Sequence, residues 1–568
     1  MADQSRVSHP ASSSRLRLYS WFLLLIAGIG GLLYGVDVGI IAAALLYLSK
    51  TVSLTVEQTS FIVAAVLGGS MFSSLLAGVL ADIFGRKVLM IVSGILFVAS
   101  VGIIVISQGF VPLFLGRLLQ GMSGGVIAVV VPLYLAECLG PDKRGRGTAI
   151  FQFMLTFGIV CAAVIGWFYT QQAEHAIAAA AGNLDLVRAA QNHAWRGMFL
   201  AVIYPGLLFF FGAFFLSESP RWLLLRGQTD AALAALRRSI PEEEAQRELK
   251  EMRELTANRK SQTGSAGGSL LRRKYVVPFL IACAIMTLNQ TTGINSILGY
   301  LVIILKQAGM AAAHATQGDV TVKVLNCVMT LVGVALVDTK GRRFLLRLGT
   351  AGVVVALAAG GAVFMAVEST RTDVKAKVEA VQTGNTLTAP LTSIIPDAAP
   401  AGRATSLTVL YSYGHGDHLA SVVSNEAQPA LSLKPEPGEE KGTLRIKRAL
   451  YGPVPTESTG WLITACLCLF ISAYACGPGV VVWLAMSELM PTRIRSIGMG
   501  ISLVLNQGAS TLIAAVFLSV VTNFSYASMF FFWAGCTVLY FLTAAFLLPE
   551  TKGKTLEEIE LYFEGASK

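Results

Sequence analysis

The chain of 568 residues is 54% hydrophobic and only 14% charged, with a mean hydropathy of +0.64. Soluble domains carry about 25% charged residues, so this composition excludes a soluble globular protein and points to many membrane-spanning segments. The net charge of +10 does not imply a nucleic-acid partner. The basic residues gather in short clusters at alternate ends of apolar runs: Arg86 with Lys87, Lys143 with Arg144 and Arg146, Lys340 with Arg342 and Arg343, and Arg493 with Arg495.

Crossing a bilayer takes roughly 20 apolar residues. Runs of that length are predicted at about 19–48, 58–82, 87–107, 111–136, 148–169, 197–216, 274–305, 320–338, 343–367, 458–488, 496–521 and 526–548. The expected fold is an all-α membrane protein of twelve transmembrane helices. The basic clusters set its topology by the positive-inside rule, with both termini in the cytoplasm of a multi-pass plasma or inner membrane protein. The first run is too long and continuous for a cleaved signal peptide. The chain divides into a cytoplasmic N-terminus (1–18), a first six-helix half (19–216), a cytoplasmic linker (217–273), a second half (274–548) interrupted by an exterior loop (368–457), and a cytoplasmic tail (549–568).

Helix 1 carries GGLLYGVDVGI, and Asp37 is its only carboxylate. Helix 4 opens with GRLLQGMSGG, which places Arg117 about six residues, or about 9 Å, inside its outer end. Asp37 lies at similar depth, so the two charges can pair. Burial disfavours a charged carboxylate and a guanidinium favours it, so opening or closing a cavity around the pair can decide whether Asp37 holds a proton. The alternative is a static ion pair that only fixes helices 1 and 4.

The chain repeats itself. GVLADIFGRK (Asp82, Arg86) lies between helices 2 and 3, and GVALVDTKGRR (Asp338, Arg342) between helices 8 and 9. PLYLAECLGPDKRGRG (Glu137, Arg144) ends helix 4 and WLAMSELMPTRIRS (Glu488, Arg495) ends helix 10; SESPRW (Glu218, Arg221) follows helix 6 and PETKGK follows helix 12. Two repeated six-helix halves are the architecture of many secondary transporters. The repeated charges, at cytoplasmic helix ends, are expected to pair across the halves when the inner side is closed.

Helix 7 contains NQTTGINSILGY. Asn289, Gln290, Thr291, Thr292 and Asn295 surround Gly293 at membrane depth, where unpaired amides are costly. They either join helices or line a cavity for a polar, uncharged solute such as a sugar, and broken helices of this kind mark binding sites in transporters. After helix 6 the charged stretch 229–257 predicts short amphipathic helices interrupted at Pro241. The exterior loop has β-rich segments separated by Gly, Pro and Asn, which predict a small β-subdomain. Its GHGDH (His415, Asp417, His418) offers too few ligands for a metal and reads as a solvated turn. The helices lack a nucleophile, base and orienter set, so an enzyme is not expected.

These motifs in this order, GRK and GRR, the GR of helix 4, PLYLAE with RGRG, QFMLTFG, SESPRWL, NQTTGIN, GPGVVVW and PETKGKTLEE, resemble the sugar porter family of the Major Facilitator Superfamily over nearly the whole chain. The resemblance implies that sugar hydroxyls are held by Gln152, Asn289, Gln290, Asn295, Asn326 and Asn506, with Trp483 beneath the ring, or else packed between helices. It implies that Gly293, Tyr300, Gly477, Pro478 and Gly479 serve gating, that the linker latches the two halves, and that a monomer works without a cofactor or metal. Two departures stand out: in helix 7 Asn289 replaces the first family glutamine and Gly299 the first of two family tyrosines, leaving Tyr300, and in helix 11 Gln507 replaces a tryptophan beside Asn506. Proton-coupled members resemble this chain in carrying an aspartate at the position of Asp37, which favours sugar/proton symport through Asp37 and Arg117. The alternatives are a facilitative uniporter and a non-transporting sugar sensor; the short tail after Pro549 disfavours the sensor.

Overall fold

A computed structural model describes residues 10–139, 141–262, 273–396, 404–425, 429–436, 439–491, 494–552, 554, 558–559 and 562–563; the side chains of 10–15, 141–146, 148, 255–262, 274, 338 and 496 lie outside the described set. Among the described residues, twelve helices are long and apolar enough to span a membrane. Helices 1 to 6 are Leu16–Gly39, Val56–Phe84, Arg86–Ile106, Phe110–Cys138, Ala149–Ala179 and Leu184–Phe214. Helices 7 to 12 are Tyr275–Gln307, Ala312–Val337, Arg342–Glu368, Glu457–Leu489, Ile497–Asn523 and Tyr526–Leu547. Helices 1–6 pack chiefly on one another, as do 7–12, and the two halves meet where helix 2 lies on helix 11 and helix 5 on helix 8.

Four helices start or end well away from the predicted limits. Helix 5 runs on to Ala179 and helix 6 begins at Leu184, because the polar stretch between them is tied down: Arg188 donates to the Thr51 carbonyl, and the Trp195 indole to the Thr51 hydroxyl at 2.9 Å. Helix 8 begins at Ala312 rather than near 320, because the charge of Asp319 is neutralised within the helix by Lys323. The predicted helix 1 is interrupted at Ile40, and a separate short helix, Ile41–Thr51, packs on the later part of helix 7.

Glycines set the closest helix contacts. A Cβ on Gly31 or Gly35 would sit 2.4 Å or 1.9 Å from the carbonyl oxygen of Phe151 or Leu155, so helix 1 lies backbone to backbone on helix 5. Small residues permit such packing in lipid.

One end of the bundle carries Arg86 and Arg342 and is called here the basic end; the other carries six strands and is the sheet end. β1 (Thr372–Asp373), β3 (Thr405–Ser412), β4 (Asp417–Val423) and β6 (Arg445–Pro453) form an antiparallel sheet in the order β1-β6-β3-β4, while β2 (Leu387–Pro390) pairs with β5 (Ala430–Leu433). Alternate residues such as Leu407, Val409 and Tyr411 face a core with Leu387, Leu431 and Leu433. The predicted β-subdomain is therefore present. Its β3–β4 hairpin rests on the start of helix 2, where the Asp417 amide donates to Glu57 at 3.2 Å, and Arg448 donates to the carbonyls of Thr522 and Phe524.

The linker forms three helices, Pro220–Leu225, Thr229–Leu236 and Glu242–Gln262, broken at Pro241 as the sequence predicts. It bonds to the first half: the Trp222 indole donates to the Asp82 carbonyl, and the Ser239 hydroxyl to the Cys138 carbonyl.

Candidate functional site

Asp37 and Arg117 meet, as their depths suggest. Both are buried, with the Arg117 Nη1 3.3 Å from Asp37 Oδ1 and donating to Gln120 Oε1 at 2.7 Å, and the guanidinium lies 5.6 Å from the Phe199 ring centre. One Asp37 oxygen, Oδ2, has no partner, and neither has Arg117 Nε. A buried carboxylate with a free oxygen is a position that can accept a proton. Tyr34 lies beside Asp37, Ser70 and Gln507, which brings the pair to the boundary between helices 1, 2 and 11.

The amides of helix 7 join one another across three helices. Asn289 Nδ2 donates to the Pro478 carbonyl at 3.3 Å, and its Oδ1 accepts from the Tyr474 hydroxyl at 3.0 Å. Gln290 Nε2 donates to Asn506 Oδ1 at 3.2 Å while its Oε1 accepts from Asn295 at 2.9 Å; Asn295 also donates to Ser510 at 2.7 Å, and Asn506 donates to the Met286 carbonyl at 2.8 Å. The cluster thus sits where helix 7 breaks between Thr291 and Ile294 and where helix 10 breaks at Gly477. Chain breaks release backbone groups, and the amides hold the geometry that results.

Gly293 takes φ +82°, and a Cβ there would come 2.4 Å from the Trp533 ring. Trp533 is itself locked, stacked on Phe517 at 5.6 Å. Gly293→Ala is therefore expected to cost about 1–3 kcal/mol from backbone strain, with overpacking added. Thermal unfolding in detergent with an unchanged midpoint would contradict this. Tyr300 is buried, stacked on Phe517 at 4.5 Å, and its hydroxyl donates to the Ala514 carbonyl at 3.0 Å. The neighbouring Gly299 explains one departure from the family pattern: its built Cβ would lie 3.2 Å from Val63 of helix 2, so the second half of helix 7 and helix 2 approach too closely for a tyrosine.

Other expected residues stand apart. Gln152 is exposed and Trp483 is 43% exposed, and neither bonds to the amide cluster among the described residues. Asn326 is buried, with its carbonyl accepting from Thr330 at 2.8 Å. Gly479 follows Gly477 and Pro478 at the start of the second piece of helix 10.

At the basic end the repeated charges form two matching clusters. In the first half Arg86 is bonded through Nε and Nη2 to Glu137 at 2.8 and 3.0 Å and through Nη2 to Asp82 at 2.9 Å. Glu218 accepts the Arg86 and Lys87 amides at the start of helix 3, and Ser219 donates to Glu137 at 2.5 Å. In the second half Arg342 bonds Glu488 at 3.0 Å, Glu550 accepts the Arg342 and Arg343 amides, and Thr551 donates to Glu488 at 2.6 Å. Each carboxylate at a helix start complements the helix dipole. The Arg86–Glu137 and Arg342–Glu488 pairs run within each half, whereas the expected cross-half pairing belongs to a closed inner side. Arg221 is exposed, and Arg495 donates to the Met490 carbonyl. The side chains of Arg144 and Asp338 lie outside the described residues.

The GHGDH stretch is not the solvated turn expected, because Asp417 and His418 are buried and paired. His418 pairs with Glu439 at 3.0 Å, Asp417 with Lys447 at 2.6 Å, and His415 is exposed. Sequence reasoning missed Asp319, Lys323, Gln120, Tyr474 and Ser510. Lys323 had a plain signal: it is an ionisable residue inside a predicted span.

Twelve apolar helices in two repeated halves, with a buried acid–arginine pair and an amide cluster at helix breaks, define a polytopic secondary transporter. The model of the Sugar (and other) transporter family matches residues 23–383 and 446–563, and the chain belongs to that family. The unmatched residues 384–445 hold most of the β-subdomain. The human "Proton myo-inositol cotransporter" is 29% identical over 96% of this chain and 82% of its own length, and the "Galactose-proton symporter" of Escherichia coli K12 is 26% identical over 95% and 94%. Among solved structures, the E. coli xylose transporter XylE in an inward-open conformation superposes with a TM-score of 0.67 at 21% identity, covering 95% of this chain and 99% of that one.

Proposed function

We propose that this protein moves a monosaccharide or polyol by alternating access, coupled to protons through Asp37 and Arg117. The observation that carries the solute class is the amide cluster of Asn289, Gln290, Asn295 and Asn506, donors and acceptors without net charge at the breaks of helices 7 and 10. Such a group suits hydroxyls, and anions or cations would find no counter-charge in it. Asn326, Gln152 and Trp483 join the sugar as the halves close. The free oxygen of Asp37 supports the proton's place. Both termini and the basic end face the cytoplasm of a plasma or inner membrane, the β-subdomain faces outward, and a single copy in the bilayer suffices. The contacts between halves that involve helix 7 lie toward the sheet end, which fits an arrangement closed outside and open inside.

Uptake of labelled pentoses, hexoses and inositol into proteoliposomes identifies the solute. Gln290→Ala removes a group bonded on both sides, and the loss of about one hydrogen bond per state is expected to raise KM roughly tenfold with little change in protein yield. An unaltered KM for every transported sugar would remove Gln290 from the site.

A further inference from the structure

Lys323 and Asp319 are one helical turn apart in helix 8, joined at 2.8 Å, and both are completely buried. Burying an ammonium and a carboxylate costs several kcal/mol per ion before their attraction is counted, and such pairs at membrane depth are rarely idle. Here the pair is not closed on itself. Lys323 Nζ also donates to the Gly39 carbonyl at 3.0 Å, while Asp319 Oδ1 has no partner.

Gly39 belongs to the first half and Lys323 to the second. The bond falls where helix 1 is interrupted, between Gly39 and Ile41, and insertion of a side chain into the backbone ladder is a recognised cause of such an interruption. Gly39 is also where helix 1 touches helix 5: its built Cβ would lie 2.8 Å from Ala162. The lysine therefore closes a three-helix junction, and it binds two residues from Asp37.

We propose that Lys323 is a latch between the halves, whose bond to the Gly39 carbonyl holds the sheet end closed and fixes the segment of helix 1 that carries Asp37. It is a positioning residue that acts through helix 1. When the sheet end opens, helix 8 leaves helix 1 and Lys323 falls back on Asp319 alone; Asp319 keeps the lysine charge tolerable in both states. This rests on the alternating-access reading above, but not on the identity of the sugar or on proton coupling.

The test uses a reporter in the contact that opening must break. Val63 is buried at the approach of helix 2 to Gly299. Val63→Cys is labelled with a membrane-impermeant thiol reagent from the sheet side, and the rate is read above that of the eight native cysteines. The double variant Asp319→Asn/Lys323→Met removes both charges, so no uncompensated ion is left to unfold the protein. A hydrogen bond to a charged group is worth about tenfold or more in an equilibrium constant, so labelling is expected to speed up by roughly that factor. Lys323→Arg, which keeps a donor, is expected to label close to the wild-type rate. An unchanged rate in the folded double variant overturns the latch, as does equal acceleration in Lys323→Arg. A Val63→Cys reporter unreactive in every background, with or without transported sugar, would mean that the sheet end never opens; alternating access itself would then fall, and the latch with it.

Discussion

Asp37→Asn is expected to abolish gradient-driven accumulation, leaving sugar inside no more concentrated than outside, while downhill exchange persists. The side chain is buried, and its Oδ1 lies 3.3 Å from Arg117. Asparagine keeps the size and an acceptor for the guanidinium but cannot take up or release a proton. Arg117 keeps the residue 37 side-chain oxygen and backbone carbonyl as acceptors, which holds helix 1 to helix 4, while Gln120 and the face of Phe199 continue to support the guanidinium. The measurement is labelled-sugar accumulation against counterflow in the same proteoliposomes. Loss of both activities would make the pair a structural tie; retention of accumulation would move the proton site elsewhere.

The second large effect belongs to stability. Arg86→Ala is expected to cost about 3–5 kcal/mol, the range for breaking a buried ion pair by removing one partner. Glu137 would be left buried with Ser219 as its remaining donor. The matching change in the other half, Arg342→Ala, is expected to cost less, about 1.5–3 kcal/mol, because the Arg342 and Glu488 side chains keep 13% and 23% of their exposure. Chemical unfolding in detergent of the two variants side by side checks the order. Equal losses would show that solvent access does not separate the clusters.

That comparison also marks what could be read in advance. The repeated motifs announced two matching sets of charges, because composition and spacing survive translation into helix ends. Their partners were not legible. Along the chain Glu137 and Glu488 stand near Arg144 and Arg495, but in space Glu137 meets Arg86 and Glu488 meets Arg342, an outcome that depends on how helix 3 docks beside helix 4 and helix 9 beside helix 10. The twelve spans were legible because hydropathy reports the solvent directly. The early start of helix 8 was not, since a charge that reads as a boundary is neutralised by a neighbour one turn on. The junction at Ile40 was equally hidden: GIIAAALLYL is a good helix sequence, and tertiary contacts interrupt it. At the amide cluster the sequence named Asn289, Gln290 and Asn295 as a group, but their partners Tyr474 and Ser510 come from other helices at distances no periodicity encodes.

The matched family segments stop at 383 and resume at 446, so β2 to β5 of the β-subdomain lie outside the family pattern while β1 and nearly all of β6 lie within it. The subdomain contacts the first half at the start of helix 2, through Glu57 and Thr55, while its chain ends are continuous with helices 9 and 10. It spans both halves at the sheet end, the same end at which Lys323 reaches Gly39.

The most direct test of coupled transport is a proton measurement on the wild type. Lightly buffered, de-energised vesicles are given the transported sugar while external pH is recorded. Coupled entry predicts that the medium turns alkaline in step with sugar uptake, and that the signal disappears in Asp37→Asn. Sugar that equilibrates with no change in external pH would contradict the account and make this protein a uniporter.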